Sequence, residues 1–268
     1  MPNQSSMTPG IDPAVIRRNT WIQHVEYHPR LESTNLTAAE LLEPLLEHSP
    51  AVVVTDEQTA GRGRKGNRWW SSSGALTFSI VMDAAAIPLA PERRGLISLV
   101  SGMAVRDAVG SVLEENSARI KWPNDLLVRG LKVSGILTEQ RSTMSQRQGL
   151  IVGIGLNVNN SMMNAPEEVR ERSTSLFDLA QKSFDLTMVL TEILNAFDRR
   201  TQQLLNQPMM FLSDLNSVHE LHHRMVTVQH GEICHSGRCE GIDDEGNLVL
   251  VCHSQMVRLS SGVVINWE

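Results

Sequence analysis

The chain has 268 residues, of which 41% are hydrophobic and 20% charged, and carries a formal net charge of −6. These values exclude a disordered tail, a collagenous repeat and a coiled-coil rod, and leave one large domain or one domain with a small appendage. A nonspecific nucleic-acid or anionic-membrane partner gains nothing from the overall field, so any cationic function must be local.

Residues 1–20, rich in Ser, Pro and Asn, read as a flexible lead-in, too short for a helix-turn-helix domain. From Trp21 the segment WIQHVEYH reads as a strand. Ser33-Thr34-Asn35 then supplies N-cap chemistry for a helix over LTAAELLEPLLEH, which Pro44 should break or kink. AVVVT at 51–55 is a buried-strand run and ALTFSIVMD at 75–83 alternates as a second strand. Apolar residues at helical spacing between Glu92 and Asn116 predict a long helix. Strands return at ARIKW, at LLV after Asp125, at KVSGILTEQ and at LIVGIGLNVN. A helix over Leu186 to about Leu205 follows, capped by Asp185 or Thr187. Strand runs around one long helix, without strict βαβ alternation, point to an α+β fold. After Ser217, short strand-like runs between Gly, Asp and Asn turns predict a small β-barrel, so the organisation is 1–20, 21–217 and 218–268.

No apolar signal-peptide core lies in the first ten residues, and the longest weakly polar stretch, 75–91, is interrupted by Asp83 and two prolines. Neither a signal peptide nor a membrane span is expected. Cys234, Cys239 and Cys252 have no disulfide-framework spacing, which favours a reducing, cytoplasmic setting.

Three segments have the residue types that chemistry needs. The first, Gly61-Arg62-Gly63-Arg64-Lys65-Gly66, matches the dinucleotide G-x-G-x-x-G string but leads into a strand rather than a helix, which argues against that use. A strand, glycine loop, strand order suits a flap over an anionic ligand, with guanidinium forks as donors; a solvated basic loop is the bland alternative. Three glycines within six residues make such a loop costly to fix without an anion. The second comprises Lys121-Trp122-Pro123-Asn124-Asp125 and Lys132. It sets two lysines on or near buried strands, where an ammonium needs a partner or a bound anion, and Asp125 is suited to orient one of them or to meet Mg²⁺; a structural Asn-Asp turn is the alternative. The third, Gly153-Ile154-Gly155-Leu156-Asn157, puts glycines inside a strand, marking either a close approach or a bulge.

Together with Ser33-Thr34-Asn35, Gln58-Thr59-Ala60 before the loop, Asn67-Arg68-Trp69 after it, Lys132-Val133-Ser134-Gly135-Ile136-Leu137 and Ser173-Thr174-Ser175-Leu176, these strings resemble, in order, the biotin-protein ligase family. The likeness runs from about Trp21 and is loosest in the C-terminal segment, which looks like the family's SH3-like barrel. It implies a mixed-sheet catalytic domain of the class II aminoacyl-tRNA synthetase type. It also implies a two-step reaction: biotin and MgATP give biotinyl-5'-adenylate, which then passes biotin to a lysine of a biotin carboxyl carrier protein or carrier domain. Ser33, Thr34, Asn35, Gln58, Gly61, Arg62, Gly63, Arg64, Lys132, Gly153 and Gly155 would bind biotin. Arg62, Arg64, Trp69, Lys121, Asn124, Asp125, Lys132 and Asn157 would bind ATP or the adenylate, with Lys132, Arg64 and Asp125 catalytic. No metal is expected to be bound by the protein alone, and the enzyme would act as a monomer or homodimer. Twenty residues before the catalytic domain cannot build the winged helix of the larger members, so no DNA partner is expected.

A lipoate- or octanoate-protein ligase is the nearest rival, and a single-stranded nucleic-acid module stacking bases on Trp69 and Trp70 is a remote one. A zinc site in the His- and Cys-rich C-terminal segment is disfavoured, since its three cysteines form no C-x-x-C pair.

Overall fold

The computed structural model describes residues 10–114 and 116–268. A seven-stranded mixed sheet has the order β1-β2-β3-β7-β6-β5-β4. It comprises β1 (His24–Leu31), β2 (Ala51–Gln58), β3 (Leu76–Asp83), β4 (Ala118–Lys121), β5 (Asp125–Val128), β6 (Leu131–Ser142) and β7 (Gln148–Leu156). Only β1 and β2 run parallel, joined by the crossover helices α2 (Thr34–Glu40) and α3 (Leu42–Glu47). The other neighbours are antiparallel.

Strand alternation divides the sheet into two faces. Val52 and Val54 of β2, Phe78 and Ile80 of β3, and Val152 and Ile154 of β7 join the main core. That core is covered by α4 (Leu96–Leu113) and the amphipathic α7 (Leu186–Asn206). α4 is apolar enough by length and composition to cross a membrane, but most of it is buried inside the fold, as a core helix is. On the opposite face Val53, Val81 and Ile151 pack with Leu42, Leu45 and Leu46 of α3. Farther along the same face the residues change character. β3 presents Ser79 and Thr77, β7 presents Gly153 and Gly155, and β6 places Gly135 and Leu137 opposite those glycines. One face of one sheet is thus a hydrophobic core at one end and a small, polar floor at the other.

Several local expectations are corrected. Within the lead-in, residues 1–9 lie outside the described residues. Residues 13–19, however, form α1 (Pro13–Asn19), capped by the Asp12 carboxylate and anchored by the fully buried Ile16. The first strand starts at His24, not Trp21; the Trp21 ring instead stacks on Phe197. The helical break falls at Leu41, between α2 and α3, rather than at Pro44. Proline lacks the N–H that would bond the carbonyl four residues back, so the interruption appears upstream and Pro44 sits in the first turn of α3, where N–H groups are unpaired anyway. Ser33 occupies the N-cap position without a capping bond, and Asp185 is the residue that caps α7. Short helices α5 (Glu167–Arg170) and α6 (Leu176–Ala180), and α8 (Pro208–Ser217), were not foreseen.

Beyond α8, β8 (Met225–His230), β9 (Ile233–Ile242), β10 (Leu248–Cys252), β11 (Gln255–Leu259) and β12 (Val263–Trp267) form an antiparallel sheet in the order β11-β10-β9-β8-β12. Register shifts at Val249/Leu250 and Val264/Asn266 bend it in the manner of a small barrel, but its edge strands do not pair with each other. Its inner residues Val226, Val228, Cys239, Leu248 and Leu250 merge with the main core. Burial pushes the Cys239 thiol up to about 11, the behaviour of a small core hydrophobe. Side-chain bonds fasten the two parts together. Asn216 bonds both backbone groups of Ile242, and the Trp122 indole donates to the Gly246 carbonyl at 3.2 Å.

Candidate active site

A cavity of about 560 Å³ opens over the polar floor of the sheet. Its closed end is neutral. Ser33, Thr34 and Asn35 are almost fully buried there at the start of α2. The Thr34 backbone N–H donates to Gln58 Oε1 at 2.9 Å. Ser79 Oγ lies 2.8 Å from Thr34 Oγ1 and 2.7 Å from Asn35 Oδ1. Asn35 Nδ2 donates to the Leu137 carbonyl at 3.2 Å and to Glu139 Oε2 at 2.9 Å. Buried polar groups are tolerated only when bonded, and this set is fixed by its own network.

The other end is cationic. The turn between β4 and β5 brings Lys121 and Asp125 opposite each other as a cross-strand pair. Lys132, at the start of β6, places its Nζ 2.6 Å from Asp125 Oδ1. Its backbone is held on both sides, N–H to the Arg172 carbonyl and carbonyl to the Thr174 N–H. Asn124 Nδ2 donates to the Ile136 carbonyl at 2.8 Å, while its Oδ1 accepts from Arg64 at 3.4 Å. Burial pushes both the Lys121 ammonium and the Arg64 guanidinium down from their ordinary values, with Asp125 partly restoring each. Lys121 Nζ lies 3.7 Å from the ring centroid of Trp267, a cation–π contact supplied by the last strand of the C-terminal sheet. Gly262, Val263 and Val264 of that segment also line the cavity.

The basic loop is a tight hairpin, with Gly63 N–H donating to the Asn67 carbonyl and Trp69 N–H to the Gly61 carbonyl. Lys65 and Gly66 turn it at positive φ. It continues into β3 rather than a helix, which removes the dinucleotide reading. Its Trp69 indole lies across the cross-strand pair Gly135 and Gly155, and a Cβ on Gly155 would overlap the ring. A Cβ on Gly153 would overlap the Asn35 amide. The strand glycines therefore mark a close approach rather than a bulge, and what approaches are side chains of the site itself.

Ser33, Thr34, Asn35, Gln58, Arg62, Gly63, Arg64, Trp69, Lys121, Asn124, Asp125, Lys132, Gly153 and Gly155 all line the cavity. Two foreseen residues do not. Gly61 lies behind the loop, packed against Gln58 and Trp69. Asn157 is buried beneath the floor, where it donates to the Thr174 carbonyl and accepts from Asn160. Asn157 thus ties β7 to the segment that holds Lys132. Ser79, Glu139 and Trp267 were missed. Strand alternation, which sets Ser79 on the same face as Thr77, is a signal for Ser79, whereas nothing local marks Trp267. Among the described residues no three His, Cys, Asp or Glu side chains are grouped to hold a metal ion.

Comparison with known proteins agrees with this geometry. Residues 27–157 match the biotin/lipoate A/B protein ligase family, and residues 224–267 match the biotin protein ligase C-terminal domain. The chain is 32% identical over 246 residues to the bifunctional ligase/repressor BirA of Bacillus subtilis, covering 89% of this chain and 73% of that protein. It is 32% identical over 219 residues to the biotin--[acetyl-CoA-carboxylase] ligase of Mycobacterium tuberculosis, covering 80% and 78% respectively. The solved structure of the Aquifex aeolicus biotin protein ligase in complex with biotin and ATP superposes with a TM-score of 0.77 at 26% identity, covering 92% of this chain and 99% of that one. With its site motifs, its two folded parts and its relatives in agreement, the chain belongs to the biotin protein ligase family.

Proposed function

We propose that the chain joins biotin to ATP as biotinyl-5'-adenylate and then transfers biotin to a lysine of a carrier protein. The observation that carries this reading is the two-ended cavity, with neutral hydrogen-bonding groups at its closed end and cations, Lys132 among them, at the other. Thr34, Asn35 and Gln58 suit the uncharged ring system and Lys132 the carboxylate. Arg62, Arg64 and Lys121 suit the phosphates, and Trp69 offers a flat face for the adenine.

In the first step the biotin carboxylate attacks the α-phosphorus, a C(O)–O–P bond forms and pyrophosphate leaves. Two anions converge, so fixed cations at the meeting point stabilise the transition state more than the separated reactants. Lys132 is that cation, and Asp125 keeps its ammonium aimed inward. In the second step the carrier lysine's amine attacks the acyl carbon and AMP leaves, with Asp125 placed to take the amine proton. The basic loop shields the mixed anhydride from water. Magnesium is supported by the donor chemistry. At the cationic end the Asp125 carboxylate stands beside the carboxamide oxygen of Asn124, a set suited to an ion carried mainly by the ATP phosphates. Bound there, the ion would neutralise charge on the phosphoryl oxygens.

Catalysis is assigned to the part ending at Ser217, and residues 218–268 complete the nucleotide end or the carrier-docking side. A biotin carboxyl carrier protein or carboxylase carrier domain is the partner, and the cytoplasm the setting. The test is pyrophosphate–ATP exchange with biotin or lipoate, followed by labelling of a carrier lysine. Biotin-dependent exchange is expected; exchange that depends on lipoate alone moves the protein to the sister activity.

A further inference from the structure

The neutral end of the cavity depends on a carboxylate that does not line it. Glu139 stands on β6 in the same face as Gly135 and Leu137, two residues beyond the cavity wall. Its Oε2 accepts from Asn35 Nδ2 at 2.9 Å, and its Oε1 accepts from Arg141 at 2.5 Å. A carboxylate only accepts hydrogen bonds, so it fixes which end of the Asn35 amide faces it. Asn35 therefore turns Oδ1 toward Ser79, whose hydroxyl is 2.7 Å away and fully buried. The Ser79 hydroxyl lies within 2.8 Å of Thr34 Oγ1, and the Thr34 backbone meets Gln58. Thr34, Asn35 and Gln58 all line the cavity.

Gly153 shows how tightly the amide is placed, since even one added methyl group would overlap Asn35 Oδ1. With Glu139 removed, one Asn35 N–H keeps the Leu137 carbonyl and the other loses its acceptor in a nearly sealed site. The amide then tilts or flips, and the shift passes to Ser79 and Thr34. Charge-assisted bonds of this kind are the strong ones, and Arg141 holds the carboxylate in place from the solvent side.

We infer that Glu139 is a positioning residue for biotin recognition, acting through Asn35 and Ser79 to set the donor and acceptor pattern of the closed end of the cavity. The inference rests on the proposed function and adds a residue that touches neither substrate. It predicts a split that a merely structural residue would not produce. Glu139→Ala should raise the KM and Kd for biotin about tenfold, the order expected for losing one charge-assisted hydrogen bond. KM for ATP should stay within about twofold, since the bonds of this network run to Ser79, Thr34 and Gln58 rather than to the cationic side chains. Glu139→Gln keeps an acceptor oxygen and the side-chain shape, so it should restore biotin binding to within about threefold.

The experiment is steady-state adenylation with biotin and ATP varied separately, together with calorimetric titration of biotin alone, on wild type and both variants. Three results each overturn the inference: an unchanged biotin Kd in Glu139→Ala, equal rises in KM for biotin and ATP, or a Glu139→Gln variant as impaired as the alanine. A wild-type chain that binds no biotin overturns the proposed function itself, which separates the two failures.

Discussion

The two ends of the cavity are built on different physical plans. At the neutral end, Thr34, Asn35, Gln58 and Ser79 are each less than a tenth exposed and bond mainly to one another. At the cationic end, Lys121, Arg64 and Lys132 come from three separate segments, and a fourth, the C-terminal strand, supplies Trp267. Burial lowers the Lys121 and Arg64 pKa values, and one carboxylate, Asp125, acts on both and pairs with Lys132. The contrast shows where the site is already complete and where it awaits an anion. A neutral network can be satisfied within the protein, whereas clustered cations gain most when phosphate arrives.

Substitutions test the contrast from both sides. Lys132→Ala should produce the largest loss, with adenylation falling about 10² or more, the scale of one preorganised charged donor. Pyrophosphate exchange at saturating biotin and ATP measures it, and near-normal turnover removes Lys132 from the chemistry. Gly153→Ala pushes on Asn35 and should raise the biotin KM about tenfold or more while sparing ATP. Equal loss for both substrates would mean the two ends are one mechanical unit. Trp267→Ala should do the reverse, raising the ATP KM roughly threefold to tenfold as the ring over Lys121 is lost, with biotin affinity unchanged. A change confined to biotin would place the C-terminal strand at the wrong end.

A separate test concerns stability rather than activity. His219, where the two parts meet, is buried with both ring nitrogens unpartnered, and burial pushes its pKa down to about 3. Because the folded value lies below the ordinary 6.5, the unfolded chain takes the proton first as pH falls. Stability is therefore lost progressively from pH 6.5 toward 3, by about 2 kcal/mol at pH 5. His219→Leu should remove that share of the pH dependence and leave ATP and biotin KM unchanged. Urea unfolding of both proteins at pH 7.5 and 5 measures it, and parallel losses would show that other groups carry the acid sensitivity.

The sequence by itself determined the strands of both sheets, because alternation and continuous apolar runs are local signals, and it marked the glycine-arginine loop and the lysine segments that line the cavity, because those residues occur where burial or turning makes them costly, while Ser33, Thr34, Asn35 and Gln58 were legible only through the family likeness. It missed α1 because one buried side chain, Ile16, holds that short helix, and it misplaced the break near Pro44 because the missing hydrogen bond acts four residues upstream. Only the tertiary structure decided that Gly153 makes room for Asn35, that Gly155 makes room for Trp69 and that Asn157 works from beneath the floor. It alone brought Trp267 onto Lys121, 146 positions apart in the chain, and left the C-terminal sheet open. Pattern along a chain records which face a residue prefers. Which residue meets it across that face depends on strand order and register, which long-range packing sets.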